Sequence, residues 1–160
     1  MKKITGFTLI ELLAVITVIL IVMGLGISAY LSSAGRSKTA AAKAMIAAIE
    51  LALERSRGDN GAYPNYNNDL NSAGAGSNKI SQSLDPNYIE FRQRDVDGSG
   101  LVIDPWGNAY RVYVDHDGNN TTYSVSGNDF DHNRSSCYIQ SAGKNGTFGD
   151  GDDINNYHSL

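Results

Sequence analysis

Two hydropathy regimes divide the chain. Leu12–Ile27 runs sixteen residues without a charge, LLAVITVILIVMGLGI, and between Phe7 and Leu31 the one side chain charged at neutral pH is Glu11. As a helix rising about 1.5 Å per residue, that stretch spans roughly 37 Å, against a hydrocarbon core of about 30 Å. The helical pattern then continues through an alanine-rich segment, and alanine is the best helix former. Met45, Ile46, Ile49 and Leu53 recur at helical spacing, with Leu51 off the stripe, so one face is set to pack on a globular part. One helix is therefore expected from Phe7 to about Arg57, stopped by Gly58-Asp59-Asn60-Gly61. Gly24, Gly26 and Ser28 are its weak points, open to local melting on assembly.

Residues 58–108 read as mostly loop. Tyr63-Pro64 and Asp85-Pro86 mark turns, and Ser72–Ser77 is a flexible small-residue stretch. Three alternating segments follow, Ala109–Val114, Thr121–Ser126 and Ser136–Ser141, separated by Gly/Asn/Asp turns. That spacing predicts an antiparallel meander, with Tyr110, Val112 and Val114 on one face and Arg111 and Tyr113 on the other. Trp106, the lone tryptophan, is expected to fill the gap between helix and sheet.

Composition sharpens the contrast. The 160 residues are 41% hydrophobic and 19% charged, with a formal net charge of −4, which excludes a strongly basic nucleic-acid binder. A mean hydropathy of −0.28 averages two unlike halves. From Asp95 onward there are ten Asp, no Glu, and only Arg111, Arg134 and Lys144 as bases. Cys137 is the only cysteine, so neither an intrachain disulfide nor a multi-cysteine zinc site can form. In a predicted strand it reads as a buried free thiol. His116, His132 and His158 fall in polar loops, and no nucleophile–base pattern, Walker loop or H-E-x-x-H motif stands out. The N-x-S/T sites at Asn119, Asn120, Asn133 and Asn145 read as turn chemistry.

Lys2-Lys3 before an apolar run outlines a secretory signal, but no small-x-small cleavage site follows the run. The positive end belongs in the cytoplasm and the acidic domain outside. The string Lys2-Lys3-Ile4-Thr5-Gly6-Phe7-Thr8-Leu9-Ile10-Glu11-Leu12-Leu13 resembles the class III leader of type IV pilins and type II secretion pseudopilins. The resemblance implies cleavage by a prepilin peptidase after Gly6 and N-methylation of Phe7. Losing Lys2 and Lys3 would take the formal charge from −4 to −6. It also implies that Glu11, a carboxylate at membrane depth and costly there without a partner, pairs with the Phe7 ammonium of a neighbour in a filament. The alternative is a carboxylate snorkelling to water.

Asp59-Asn60-Gly61-Ala62-Tyr63-Pro64 and Asp104-Pro105-Trp106-Gly107-Asn108-Ala109-Tyr110 are similar to the G-type major pseudopilin of type II secretion. The segment Ser141–Ile154 holds three carboxylates within four residues of a Gly-rich loop, and hard oxygen donors on a flexible backbone suit Ca²⁺. The resemblance implies a calcium loop here, with main-chain oxygens of Ala142 and Thr147 and side chains of Asn145, Asp152 and Asp153 as ligands, and Asp150 in reserve. Asn145 stands where relatives usually carry Asp, which drops a charge. A solvated acidic turn is the alternative. Asp95-Val96-Asp97-Gly98 and Asp115-His116-Asp117-Gly118 open like EF-hand loops, but position 12 is Trp106 or Ser126 rather than Glu, so both read as Asx turns.

The expected fold is α+β and pilin-like, a long N-terminal helix packed on a small C-terminal antiparallel sheet. The expected organisation is a leader (1–6), a transmembrane and assembly half-helix (7–31), an amphipathic half-helix (32–57) and a periplasmic globular domain (58–160). The implied function is that of a non-enzymatic pseudopilus subunit anchored once in the inner membrane. It would polymerise with copies of itself and work with minor pseudopilins, the prepilin peptidase and an inner-membrane assembly platform. A type IV pilin of a surface fibre is the alternative, although the usual kind carries a C-terminal disulfide that one cysteine cannot make. A membrane-anchored binding protein or enzyme is the other.

Overall fold

A computed structural model of the chain describes residues 7–64, 79–114, 123–125, 128–130 and 137–156, with backbone alone at 25–29, 31–32, 123–125 and 128–130. Helix α1 runs Leu9–Asn60, α2 is Ile80–Ser83, and a 3₁₀ turn spans Gln93–Asp95. The strands are β1 Arg111–Val114, β2 Tyr123–Val125, β3 Asn128–Phe130, β4 Cys137–Ser141 and β5 Ile154–Asn155. Helix followed by antiparallel sheet is the α+β arrangement expected. The chain divides into two units, residues 1–37 and 38–160.

In the first unit α1 starts on a reciprocal cap. Thr8 Oγ1 accepts from the Glu11 amide at 3.4 Å, and Glu11 Oε2 accepts from the Thr8 amide at 2.9 Å and its hydroxyl at 2.7 Å. This is the T-x-x-E capping box, which satisfies amides that the first turn otherwise leaves unpaired. Every large apolar side chain from Phe7 to Met23 is at least 45% exposed. The backbone stays helical through Gly24–Ser28.

In the second unit the helical stripe is deeper than the bulky residues alone suggest. Ala42, Ile46, Ile49, Ala52, Leu53 and Ser56 are all buried, whereas Leu51 is 51% exposed. The apolar five share a core with Val112, Val114, Cys137 and Ile139 of β1 and β4, and with Tyr110, Val102, Leu84 and Ile80. Burying a side chain such as Ile49 or Leu53 is worth about 1.5–3 kcal/mol. The helix outlasts the expected stop by a turn, to Asn60. Asn60 Nδ2 donates to the Ser56 carbonyl at 2.9 Å and the Gly61 amide to that of Arg57 at 2.8 Å. Gly61, with φ +77°, is the residue that ends it.

The meander is a correction. β1 pairs directly with β4, antiparallel, Arg111 opposite Gln140 and Val114 opposite Cys137, and β5 joins the far edge of β4. β2 instead pairs with β3 as a separate hairpin, Tyr123 opposite Phe130. The first and third alternating segments thus belong to one sheet, while the second lies outside it. Burial along 110–114 alternates as expected, with Tyr110, Val112 and Val114 inside.

Asn156 pins the sheet to α1. Its Oδ1 accepts from the Ile139 amide at 2.9 Å, and its Nδ2 donates to Glu50 Oε1 at 3.0 Å and the Cys137 carbonyl at 3.2 Å. Cys137 is buried as expected, and burial, reinforced by the Glu50 and Glu54 carboxylates, pushes its thiol up to about 12. Trp106 is half-buried rather than enclosed. It packs on the core and walls an open groove of about 810 Å³ beside Ala41, Ala44, Met45 and Ala48 of α1. Ser72–Ser77 and all three histidines lie outside the described residues.

Candidate functional site

The Asp104–Asn108 turn and the acidic loop after β4 form one structure. Asp104 is 4% exposed, yet its carboxylate is fully engaged. Oδ1 accepts from the amides of Trp106 and Asn108, both at 2.9 Å, and Oδ2 accepts from Ser141 Oγ at 2.7 Å and Asn108 Nδ2 at 3.4 Å. The proline lacks an amide to compete, and Gly107 takes φ +96° to close the turn. Asn108 Nδ2 also reaches the Gly143 carbonyl at 3.0 Å, and Ser141 Oγ accepts from the Gly143 amide at 3.1 Å. The turn therefore buttresses the start of the acidic loop.

The loop closes on itself through its carboxylates. Asp152 Oδ2 accepts from the amides of Lys144 at 2.9 Å and Asn145 at 3.1 Å. Asp153 Oδ2 accepts from the amides of Gly149 at 2.6 Å and Asp150 at 3.2 Å, and from Gln140 Nε2 at 2.7 Å. Asn145 Oδ1 accepts from the Thr147 amide at 2.7 Å, an Asx turn, and Asn145 Nδ2 donates to Asp150 Oδ2 at 2.6 Å. Ala142 is fully buried at the end of β4. The expected ligands are thus gathered into one loop, with Asp152 tied to its first limb and Asp153 to its second. Hydrogen bonding with the Asp152 side chain, then with Asn145 and the Asp152 amide, holds the Asp150 carboxyl below the usual carboxylate range. From the sheet, the Arg111 guanidinium lies 3.8 Å above the centre of the Phe148 ring, a cation–π contact fastening the loop from outside.

Gly143 is the tightest point. Its φ is +65°, and a Cβ there would stand 2.3 Å from the Asp152 carbonyl oxygen. Gly143→Ala is expected to lower unfolding stability by about 2–3 kcal/mol, from left-handed strain plus the clash. Urea unfolding of the variant would show a lower midpoint with unchanged slope.

Among the described residues no three His, Cys, Asp or Glu side chains converge as a metal cluster. A cation here would need a mixed set of carboxylate, amide and main-chain oxygens, which is the type hard cations accept. One observation fits such an ion. Asp153 Oδ1 is buried without a hydrogen-bond partner among the described residues, and so is Gln140 Oε1. Both are acceptors, and buried acceptors in native proteins are normally satisfied by a donor, water or ion. Asp97 behaves as the Asx turn expected, its Oδ1 accepting from Ser99 and Leu101, both at 2.8 Å. The Asp115 loop lies outside the described residues.

Sequence reasoning missed Gln140 and the bracing role of Ser141. A glutamine at an alternating strand position reads as solvent-facing, and nothing local marks it as buried. The T-x-x-E box at Thr8–Glu11 was legible, but it lay inside a string read for processing.

The family described as type II secretion system (T2SS), protein G matches residues 29–157, and the prokaryotic N-terminal methylation motif matches residues 1–27. The chain belongs to the protein G family. A curated relative, the type II secretion system core protein G of Pseudomonas aeruginosa, is 31% identical over 107 residues, covering 67% of this chain and 71% of the relative. No solved structure matches. The chain is a structural subunit of a type II secretion pseudopilus. Its family is one of structural pseudopilins rather than enzymes. The methylation motif implies prepilin peptidase processing, assembly into the pseudopilus, and a membrane anchor with the globular part facing the periplasm.

Proposed function

We propose that the chain is cut between Gly6 and Phe7 and waits as a single-pass inner-membrane protein anchored by residues 7–31. An assembly platform then draws it into a helical homopolymer tipped by minor pseudopilins. Growth of that polymer pushes folded substrates toward an outer-membrane pore. The observation that carries this reading is the naked apolar surface of α1 from Phe7 to Met23, in contrast to the buried apolar core within residues 38–160. Such a surface demands lipid or other helices. Among the described residues no helix is long and apolar enough to cross a membrane, and the uncharged run continues into residues 25–29, whose side chains are not described. The anchor therefore rests on the sequence of Leu12–Ile27. Intact-mass measurement of the membrane-extracted protein tests it. A mature chain beginning with methylated Phe7 is expected, and one beginning downstream of Ile27 would overturn the reading.

Calcium has a place in the same proposal. Main-chain oxygens of Ala142 and Thr147 and side chains of Asn145, Asp152 and Asp153 would hold it. The ion would neutralise carboxylates and fasten the two limbs of the loop, giving neighbouring subunits a fixed surface to meet. Chelation is expected to lower the melting temperature of the full chain in mild detergent. At a calcium concentration a hundredfold above Kd the loss is about 2.7 kcal/mol, on the order of 10 °C for a domain of this size. An unchanged melt, with no calcium in elemental analysis, would remove the metal from the account.

A further inference from the structure

Gln140 sits in the middle of the core sheet and is only 2% exposed. Its position on β4 is opposite Arg111 of β1 on one side and Asn155 of β5 on the other. A glutamine in such a place must place both ends of its amide. Only the nitrogen end is placed, in the 2.7 Å bond to Asp153 Oδ2. Among the described residues the oxygen end has no donor, and neither has Asp153 Oδ1. Rotating the amide would not help, because it would set an oxygen against the carboxylate and lose that bond. The two side chains are thus joined by one hydrogen bond and leave two buried oxygens over. Each uncompensated acceptor costs about 1–3 kcal/mol, so a fold that keeps both has something electropositive to offset them. A single oxygen-seeking divalent cation satisfies both at once, and an uncharged amide oxygen is an ordinary calcium ligand.

We infer that Gln140 belongs to the cation-holding set, fixing Asp153 through Nε2 and supplying Oε1 as a further uncharged oxygen donor from the sheet itself. The inference rests on the calcium reading above and extends it. It takes the site beyond the loop and ties an ion to the central strand, so that loading reaches the core rather than a surface turn. It also restores an oxygen donor in a loop where Asn145 contributes one charge fewer than an aspartate would.

The test is calcium titration calorimetry on the full chain in detergent micelles, stripped with EGTA, with melting curves in chelator and in calcium. Wild type is expected to bind one calcium. Gln140→Met keeps the length and volume of the side chain but removes both amide ends, and is expected to weaken binding at least tenfold. Gln140→Glu keeps an oxygen and adds a charge. It is expected to bind calcium at least as tightly as wild type, to melt lower than wild type in chelator because two carboxylates then face each other, and to show a larger calcium-induced rise. A residue with only a packing role would not produce that pair of opposite shifts. Wild-type affinity in Gln140→Met would overturn the inference and leave the loop's calcium intact. Absence of calcium binding in wild type would overturn both. If Gln140→Met fails to fold, Gln140→Glu decides alone, and weaker binding than wild type would overturn the inference.

Discussion

Replacing Asp104 with alanine is expected to lower the unfolding free energy of the globular unit by about 3–5 kcal/mol, a large part of the 5–15 kcal/mol that a domain of this size holds. The substitution removes little apolar contact. What it removes is the acceptor for two turn amides and the Ser141 hydroxyl, all in a region where Asp104 is 4% exposed and Ser141 fully buried. Each of those donors would lose its acceptor, the Ser141 hydroxyl within the core. Asp104→Asn keeps an acceptor for the amides but turns a donor toward Ser141, so its loss should be about half as large. Trp106, the only tryptophan, lies inside the disturbed turn and gives a direct fluorescence readout of urea unfolding. Equal midpoints for wild type and Asp104→Ala would show that the turn is held by chain connectivity and not by the carboxylate.

That network also shows how far the sequence could be read. The apolar period in Met45–Leu53 located the packed face of α1, because helical spacing and burial are the same physical requirement. Alternation in 110–114 likewise assigned the inner face of β1 residue by residue. Pairing was not legible. Alternation says which way side chains point but not which strand lies alongside, and the long 115–136 connection left β1 free to pair with β4. β5 is two residues long, too short to carry a period. Gln140 was hidden for a related reason. The strand pattern sends position 140 to the face opposite Ile139, where Gln140 meets Asp153 of the returning loop. Contacts closed by residues distant in sequence are set by tertiary packing, which a local pattern does not encode.

Glu11→Ala is expected to leave the globular unit folded and to abolish normal filament formation, and Glu11→Gln decides why. In the uncut chain Glu11 closes the capping box with Thr8. A glutamine can make the same contacts, since the box accepts Glu or Gln at that position. If the carboxylate served only the cap, Gln would assemble like wild type and Ala would lose about 0.5–2 kcal/mol of helix stability. If the charge pairs with a neighbour's Phe7 ammonium, both variants fail alike. The energetics favour a large effect. A lone carboxylate within the bilayer costs about 2.5–3.5 kcal/mol or more, a cost relieved only on reaching an opposite charge. At 1.4 kcal/mol per tenfold, relief of that cost shifts the balance between lipid and filament on the order of a hundredfold per subunit. Removing the charge erases the penalty in lipid and the reward in the filament together, so neutral variants stay in the membrane. Counting filaments by electron microscopy, with membrane-fraction immunoblots at matched expression, reads both sides of that balance. Wild-type filament yield from Glu11→Gln would reduce Glu11 to a helix cap.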